Sequence, residues 1–144
     1  ATDQGSLFTS VTSPVDLDQR LRQAKAEGKT VILDFYADWC TACLDMEKGT
    51  FANDQVRQRL ARNDLVMLKA DVTQNTAEDR GLMKRYGIVG PPATLFFQGE
   101  NETRPLRLVG AESIDPFLKR VDTAVQCNAP PTQWAAKTAK TAVC

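Results

Sequence analysis

Val31-Ile32-Leu33-Asp34-Phe35-Tyr36-Ala37-Asp38-Trp39-Cys40-Thr41-Ala42-Cys43 is the stretch from which the chain is best read. Its first half is nearly all apolar and rich in strand-forming residues, as a central strand covered on both faces should be. After Cys43 the run Leu44-Asp45-Met46-Glu47-Lys48 reads as a helix. Two thiols separated by two residues therefore fall at a strand-to-helix junction. Near an exposed helix N-terminus, unpaired amides and the helix dipole favour a thiolate, which suits Cys40 to attack. Cys43, almost one turn later, is placed to resolve a mixed disulfide formed on Cys40. The pair reads as a dithiol redox centre.

Two plainer readings compete. Half of a zinc site would need further tetrahedral ligands, but the chain has no histidine, and Cys127 and Cys144 follow a different spacing near the end. A static structural disulfide across so short a loop restrains little of the unfolded chain. Redox chemistry is the stronger reading, with no metal and no cofactor expected.

Asp34 is the anomaly in the strand. A buried carboxylate is costly unless it is hydrated, hydrogen-bonded or protonated. Either it is partly exposed or structurally paired, or it lies behind the thiols and exchanges a proton as the disulfide opens and closes.

Composition bounds what the chain can do. At 144 residues it suits one domain with a real core, and 42% apolar with 25% charged residues is ordinary globular usage. Lys plus Arg and Asp plus Glu both total 18, so no nucleic-acid groove or polybasic membrane patch is expected. No stretch is apolar for long enough to span a bilayer. The start without Met or a signal-like segment fits a processed product or an excised domain. The lack of histidine excludes His-based acid–base catalysis and ligation.

Outward from the dithiol, the elements alternate. Residues 1–6 read as a loose leader and 7–11 as an edge strand. Pro14 opens a helix after Thr12 or Ser13, with Val15, Leu17, Leu21 and Ala24 at helical spacing and Gly28 as its stop. After the dithiol helix, Phe51 points inward, and Asn53 or Asp54 caps a helical piece carrying Val56 and Leu60. A strand is expected over 65–72, then a helix over 77–86 ended by Gly87, with Leu82 and Met83 in the core. Gly90-Pro91-Pro92 makes a rigid turn into a strand over 93–97; 98–102 reads as a hairpin connection and 105–109 as an edge strand. Ser113 caps a closing helix with Ile114, Phe117, Leu118 and Val121 as its apolar stripe. Residues 127–144 form a Pro- and Ala-rich extension bracketed by Cys127 and Cys144; whether these bond to each other stays open.

Trp39-Cys40-x-x-Cys43, Asp34 in the preceding strand and Gly90-Pro91-Pro92 match the pattern of the thioredoxin-like family in order and approximate spacing over 7–126. The chain resembles that family, which implies an α/β thioredoxin fold: a central mixed β-sheet flanked by helices. The resemblance also implies a cis Pro91–Pro92 bond facing the dithiol. Ala93 stands where the family usually has Thr.

The stretch from Leu33 to Cys43 is very similar to the C-terminal periplasmic domain of the DsbD family of bacterial transmembrane thiol:disulfide interchange proteins. Glu47, Phe51, Val56 and Asp71-Val72-Thr73 fit as well, and Thr41-Ala42 departs from the Gly-Pro that plain thioredoxins more often carry. This likeness implies a protein-disulfide reductase in which Cys40 is the exposed attacking thiol and Cys43 the buried resolving thiol. Asp34 and Glu47 match acidic residues near that family's dithiol, and together they should oppose the Cys40 thiolate until a partner docks. Electrons would come from a cysteine pair in the membrane domain and pass to the N-terminal periplasmic domain of the same protein. Trp39, Val89, Pro91 and Pro92 would form the docking patch. The implied setting is a periplasmic, monomeric domain of an inner-membrane protein. A stand-alone periplasmic thioredoxin, oxidase or isomerase uses the same parts, and a non-enzymatic disulfide-stabilised binding module is the alternative of another class.

Overall fold

The computed structural model describes residues 7–128. In chain order it contains β1 (Thr9–Ser10), α1 (Pro14–Ala26), β2 (Thr30–Tyr36), α2 (Thr41–Lys48), a 3₁₀ turn (Thr50–Ala52) and α3 (Asp54–Leu60). Then come β3 (Leu65–Asp71), α4 (Ala77–Arg85), β4 (Ala93–Gln98), β5 (Asn101–Glu102), a 3₁₀ turn (Arg104–Leu106), β6 (Leu108–Val109) and α5 (Ile114–Asn128). The strands form one mixed sheet in the order β1-β3-β2-β4-β5, with β6 also paired to β4. β1, β3 and β2 run parallel, and β4 runs antiparallel to β2.

β2 is central because both of its faces are covered. Side chains alternate along a strand, so Val31, Leu33 and Phe35 enter one core with Leu17 and Leu21 of α1, Leu82 of α4, and Leu95 and Phe97 of β4. Ile32 enters the opposite core with Met46 of α2, Val56 and Leu60 of α3, Phe96, and Phe117 and Val121 of α5. That second core is stitched by edge-on rings, with Phe51 at 5.4 Å from Phe8 and 5.5 Å from Phe117. Asp34 has the parity of Ile32, so its carboxyl enters the α2/α5 side. It is flanked in register by Lys69 of β3 and Thr94 of β4.

Local chemistry sets the ends of the elements. The Ser13 hydroxyl accepts the Asp16 N–H at 3.1 Å with Pro14 in the first position of α1. Asn53 caps α3, and Thr76 with Asp79 closes a reciprocal capping box on α4. Gly87 stops α4 at φ +65°, a left-handed conformation that a Cβ would strain. Ser113 directly precedes α5, its carbonyl accepting the Phe117 N–H at 3.2 Å.

Several boundaries differ from the sequence reading. The edge strand expected over 7–11 pairs only at Thr9 and Ser10, opposite Leu68 and Lys69. The dithiol helix begins at Thr41, because Cys40 keeps an extended backbone as its N-cap. The segment 105–109 is a strand only at Leu108–Val109. Before that, Pro105 lacks an N–H for a ladder and sits in a 3₁₀ turn. Arg107 then ties the segment to Glu102 and to the Tyr86 carbonyl. α5 runs past 126 and carries Cys127, buried, in its last turn. The pairing of Cys127 with Cys144, left open above, lies outside the described residues, as do 1–6 and the rest of the extension. No helix among the described residues is long and apolar enough to cross a membrane.

Candidate functional site

Cys40 and Cys43 form a disulfide with their Cα atoms 5.2 Å apart. The pair stands at the junction that the strand and helix signals predict. Cys40 is the N-cap of α2, and its Sγ accepts the Cys43 N–H at 3.1 Å. On reduction the same amide, together with the start of the helix dipole, faces the sulfur that must carry negative charge. Cys43 Sγ lies 4.0 Å from the Phe35 carbonyl oxygen, so it sits against β2.

The expected contrast in exposure is smaller than the sequence reading held. Cys43 is 3% exposed, and Cys40, expected to be exposed, is only 7% exposed. As N-cap, Cys40 turns its sulfur over the first turn of α2 toward Cys43, which hides it in the disulfide form.

The Pro91–Pro92 bond is cis. Ala93, the next residue, pairs with Phe35 across β2 and β4, and it packs in the same core as both cysteines. The double proline therefore enters β4 at the dithiol end of the sheet. Trp39 is 62% exposed at this end, and Val89 is fully exposed.

Asp34 is 5% exposed, which excludes a partly exposed carboxylate. Burial pushes its carboxyl up to about 8; Lys69 pulls it back and Glu47 raises it further. At neutral pH it is a neutral acid. Glu47 lies 3.3 Å from the Lys69 ammonium. That ammonium also sits 3.9 Å from the centre of the Tyr36 ring and 5.7 Å from that of Phe8. Asp34, Glu47 and Lys69 thus form one charge cluster between the sheet and α2. This changes the balance expected from two bare carboxylates: below about pH 8 one is protonated, and the other faces a cation.

Lys69 had no role in the sequence reading, although it repeats the Asp34 signal. Each is a charged residue in an otherwise apolar strand, and the β2–β3 register sets them side by side. Two further features needed the fold. Val109, 75% exposed, joins the dithiol end because it pairs with Ala93 and because the next residue, Gly110, donates its N–H to the Pro92 carbonyl at 3.0 Å. Thr73, distant in sequence, touches both Asp38 and Trp39. Among the described residues, no group of three or more His, Cys, Asp or Glu side chains is gathered to hold a metal ion.

Comparison with known proteins agrees with this geometry. The profile of a family described as thioredoxin-like matches residues 11–99. The thiol:disulfide interchange protein DsbD of Ralstonia nicotianae is 45% identical over 122 residues, covering 85% of this chain and 20% of that protein. DsbD of Escherichia coli K12 is 43% identical over 111 residues, covering 76% of this chain and 19% of that one. The chain thus spans about a fifth of the length of these relatives. The oxidised C-terminal domain of Neisseria meningitidis DsbD superposes with a TM-score of 0.68 at 29% identity, covering 81% of this chain and 99% of that domain. Spinach chloroplast thioredoxin F superposes with a TM-score of 0.63 at 22% identity, covering 81% of this chain and 92% of that one, and shares the fold.

Proposed function

The chain belongs to the thioredoxin-like family, and from that premise we propose that it is a thiol:disulfide interchange domain working as a protein-disulfide reductase. The observation that carries this reading is the Cys40–Cys43 disulfide, capping α2 at the end of the sheet where the cis Pro91–Pro92 bond enters β4.

In the working direction the dithiol form meets an oxidised partner. The Cys40 thiolate attacks one sulfur of the partner disulfide; an S–S bond forms to Cys40 and the partner's other sulfur leaves as a thiolate. Cys43, deprotonated, then attacks Cys40 Sγ, and the second partner sulfur leaves. Two electrons and two protons pass to the partner, and the domain returns to the disulfide form. Asp34 suits the proton traffic, because a carboxyl at about 8 lies close to the range of a thiol and exchanges a proton with it at little cost. Glu47, held by Lys69, is a tuning charge on the same side of the sheet.

By likeness to the DsbD relatives, the oxidised domain is reduced again by a cysteine pair in a membrane domain and delivers its electrons to an N-terminal periplasmic domain. Trp39, Val89, Pro91 and Pro92 form the docking rim, with Val109 completing it. Such a rim binds each partner in turn and releases it; the proposed setting is a periplasmic, monomeric domain.

Trapping tests this. In Cys43→Ser the resolving step is lost, and a mixed disulfide through Cys40 accumulates in the periplasm. Recovery of an interchange-protein N-terminal domain on Cys40 is the expected result. Recovery of generic secreted substrates alone sinks the assignment in favour of a stand-alone reductase, oxidase or isomerase.

A further inference from the structure

The indole of Trp39 is the largest exposed apolar group beside the dithiol, yet it is tied down. Its Nε1–H donates to the Thr73 carbonyl at 3.1 Å. The Thr73 side chain makes a second tie one residue earlier, where its Oγ1 accepts the Asp38 N–H at 2.8 Å. Asp71 sets the direction of that bond. One carboxylate oxygen of Asp71 takes both the Thr73 N–H, at 3.0 Å, and the Thr73 hydroxyl proton, at 2.5 Å. With its only proton committed to Asp71, the hydroxyl presents lone pairs to Asp38. The Tyr36 hydroxyl completes the arrangement by donating to Asp38 Oδ1 at 2.8 Å.

From this geometry we infer that Thr73 is a positioning residue for the docking rim, fixing the Asp38-Trp39 segment and the indole in the orientation that meets the partner. This rests on the exchange function proposed for Cys40. An exposed side chain changes rotamer within nanoseconds, and immobilising it on binding carries an entropic penalty. Here the penalty is met in the free domain, by a residue 34 positions away in the chain that leaves β3. The contacts lie at the surface, so they add little to stability, whereas the placement of Trp39 bears directly on encounter with a partner.

The test uses Thr73→Val, which keeps the shape and the carbonyl but removes the hydroxyl, and Thr73→Ser, which restores it. The assay is electron transfer from the reduced domain to an oxidised N-terminal domain of a thiol:disulfide interchange protein. Thr73→Val should lower kcat/KM about fivefold, the factor that one lost hydrogen bond carries, chiefly through KM. Thr73→Ser should recover it. In a Trp39→Ala background, Thr73→Val should cost nothing more, since its effect passes through the indole. A second readout is independent of exchange. With Trp134→Phe removing the other tryptophan, acrylamide should quench Trp39 more strongly in Thr73→Val than in the parent. Thr73→Ala serves in the same measurements should Val not be accommodated. An equal loss with and without Trp39, or unchanged quenching, overturns the inference. Failure of the wild-type domain to exchange at all overturns the proposed function instead, and the quenching result still decides the role of Thr73 in holding the indole.

Discussion

Replacing Asp34 by Asn should uncouple stability from pH over a defined window. Asp34 is buried between β3, β4 and α2, and burial raises its carboxyl from the ordinary 3.8 to about 8. The folded state therefore binds this proton more tightly than the unfolded chain does. The stabilisation from the neutral carboxyl is fully present below about pH 4, declines as pH rises, and is gone once pH has passed about 8. At 1.36 kcal/mol per pH unit, the whole window amounts to on the order of 5 kcal/mol. Asn keeps the size and a hydrogen-bonding head but has no proton to lose. The difference in unfolding free energy, Asn variant minus wild type, should therefore climb between about pH 4 and about pH 8 and then level. Urea unfolding of both proteins in the disulfide form, across that range, measures it, and the remaining titrating groups largely cancel in the difference. A difference that stays flat with pH would refute the reasoning, since it would mean that Asp34 titrates alike in the folded and unfolded chains. A plateau near pH 5 would show instead that Lys69 offsets most of the effect of burial.

The other predictions follow from the same surroundings. Glu47→Gln should lower the pH at which Cys40 becomes alkylatable by iodoacetamide in the reduced domain, because a negative charge on the helix that Cys40 caps is removed; an unchanged alkylation profile contradicts this. Phe117→Ala should destabilise the domain by about 3–5 kcal/mol in chemical denaturation, because the ring is fully buried and packs edge-on to Phe51. A loss below about 1 kcal/mol would mean that the α5 side of the core collapses around the cavity.

The dithiol was legible before any fold was known, because its signal is local. A strand, two thiols at i and i+3 and a helix start occupy adjacent residues, and the observed junction differs from that reading only in making Cys40 the cap. The central place of β2 was legible too, since only a strand covered on both faces tolerates Val31-Ile32-Leu33 followed by Phe35. Short edge elements were less so. Leu108–Val109 and Thr9–Ser10 owe their pairing to neighbours distant in sequence, and two-residue strands leave almost no periodicity to read.

What the sequence by itself determined, then, is the chemistry and the family: the cysteine spacing, the Asp34 anomaly and the Pro91-Pro92 turn are all contiguous signals. The tertiary structure alone decided how that chemistry is tuned. Parallel pairing of β2 with β3 puts Lys69 beside Asp34, and the packing of α2 on that face brings in Glu47. The chain leaving β3 carries Thr73 to Asp38 and Trp39, and the turn at Gly110 sets Val109 beside Pro92. The physical reason is one of range. Propensities and caps act over a few residues, whereas the charge felt by a buried carboxyl and the rigidity of an exposed indole depend on groups that only register and packing bring together.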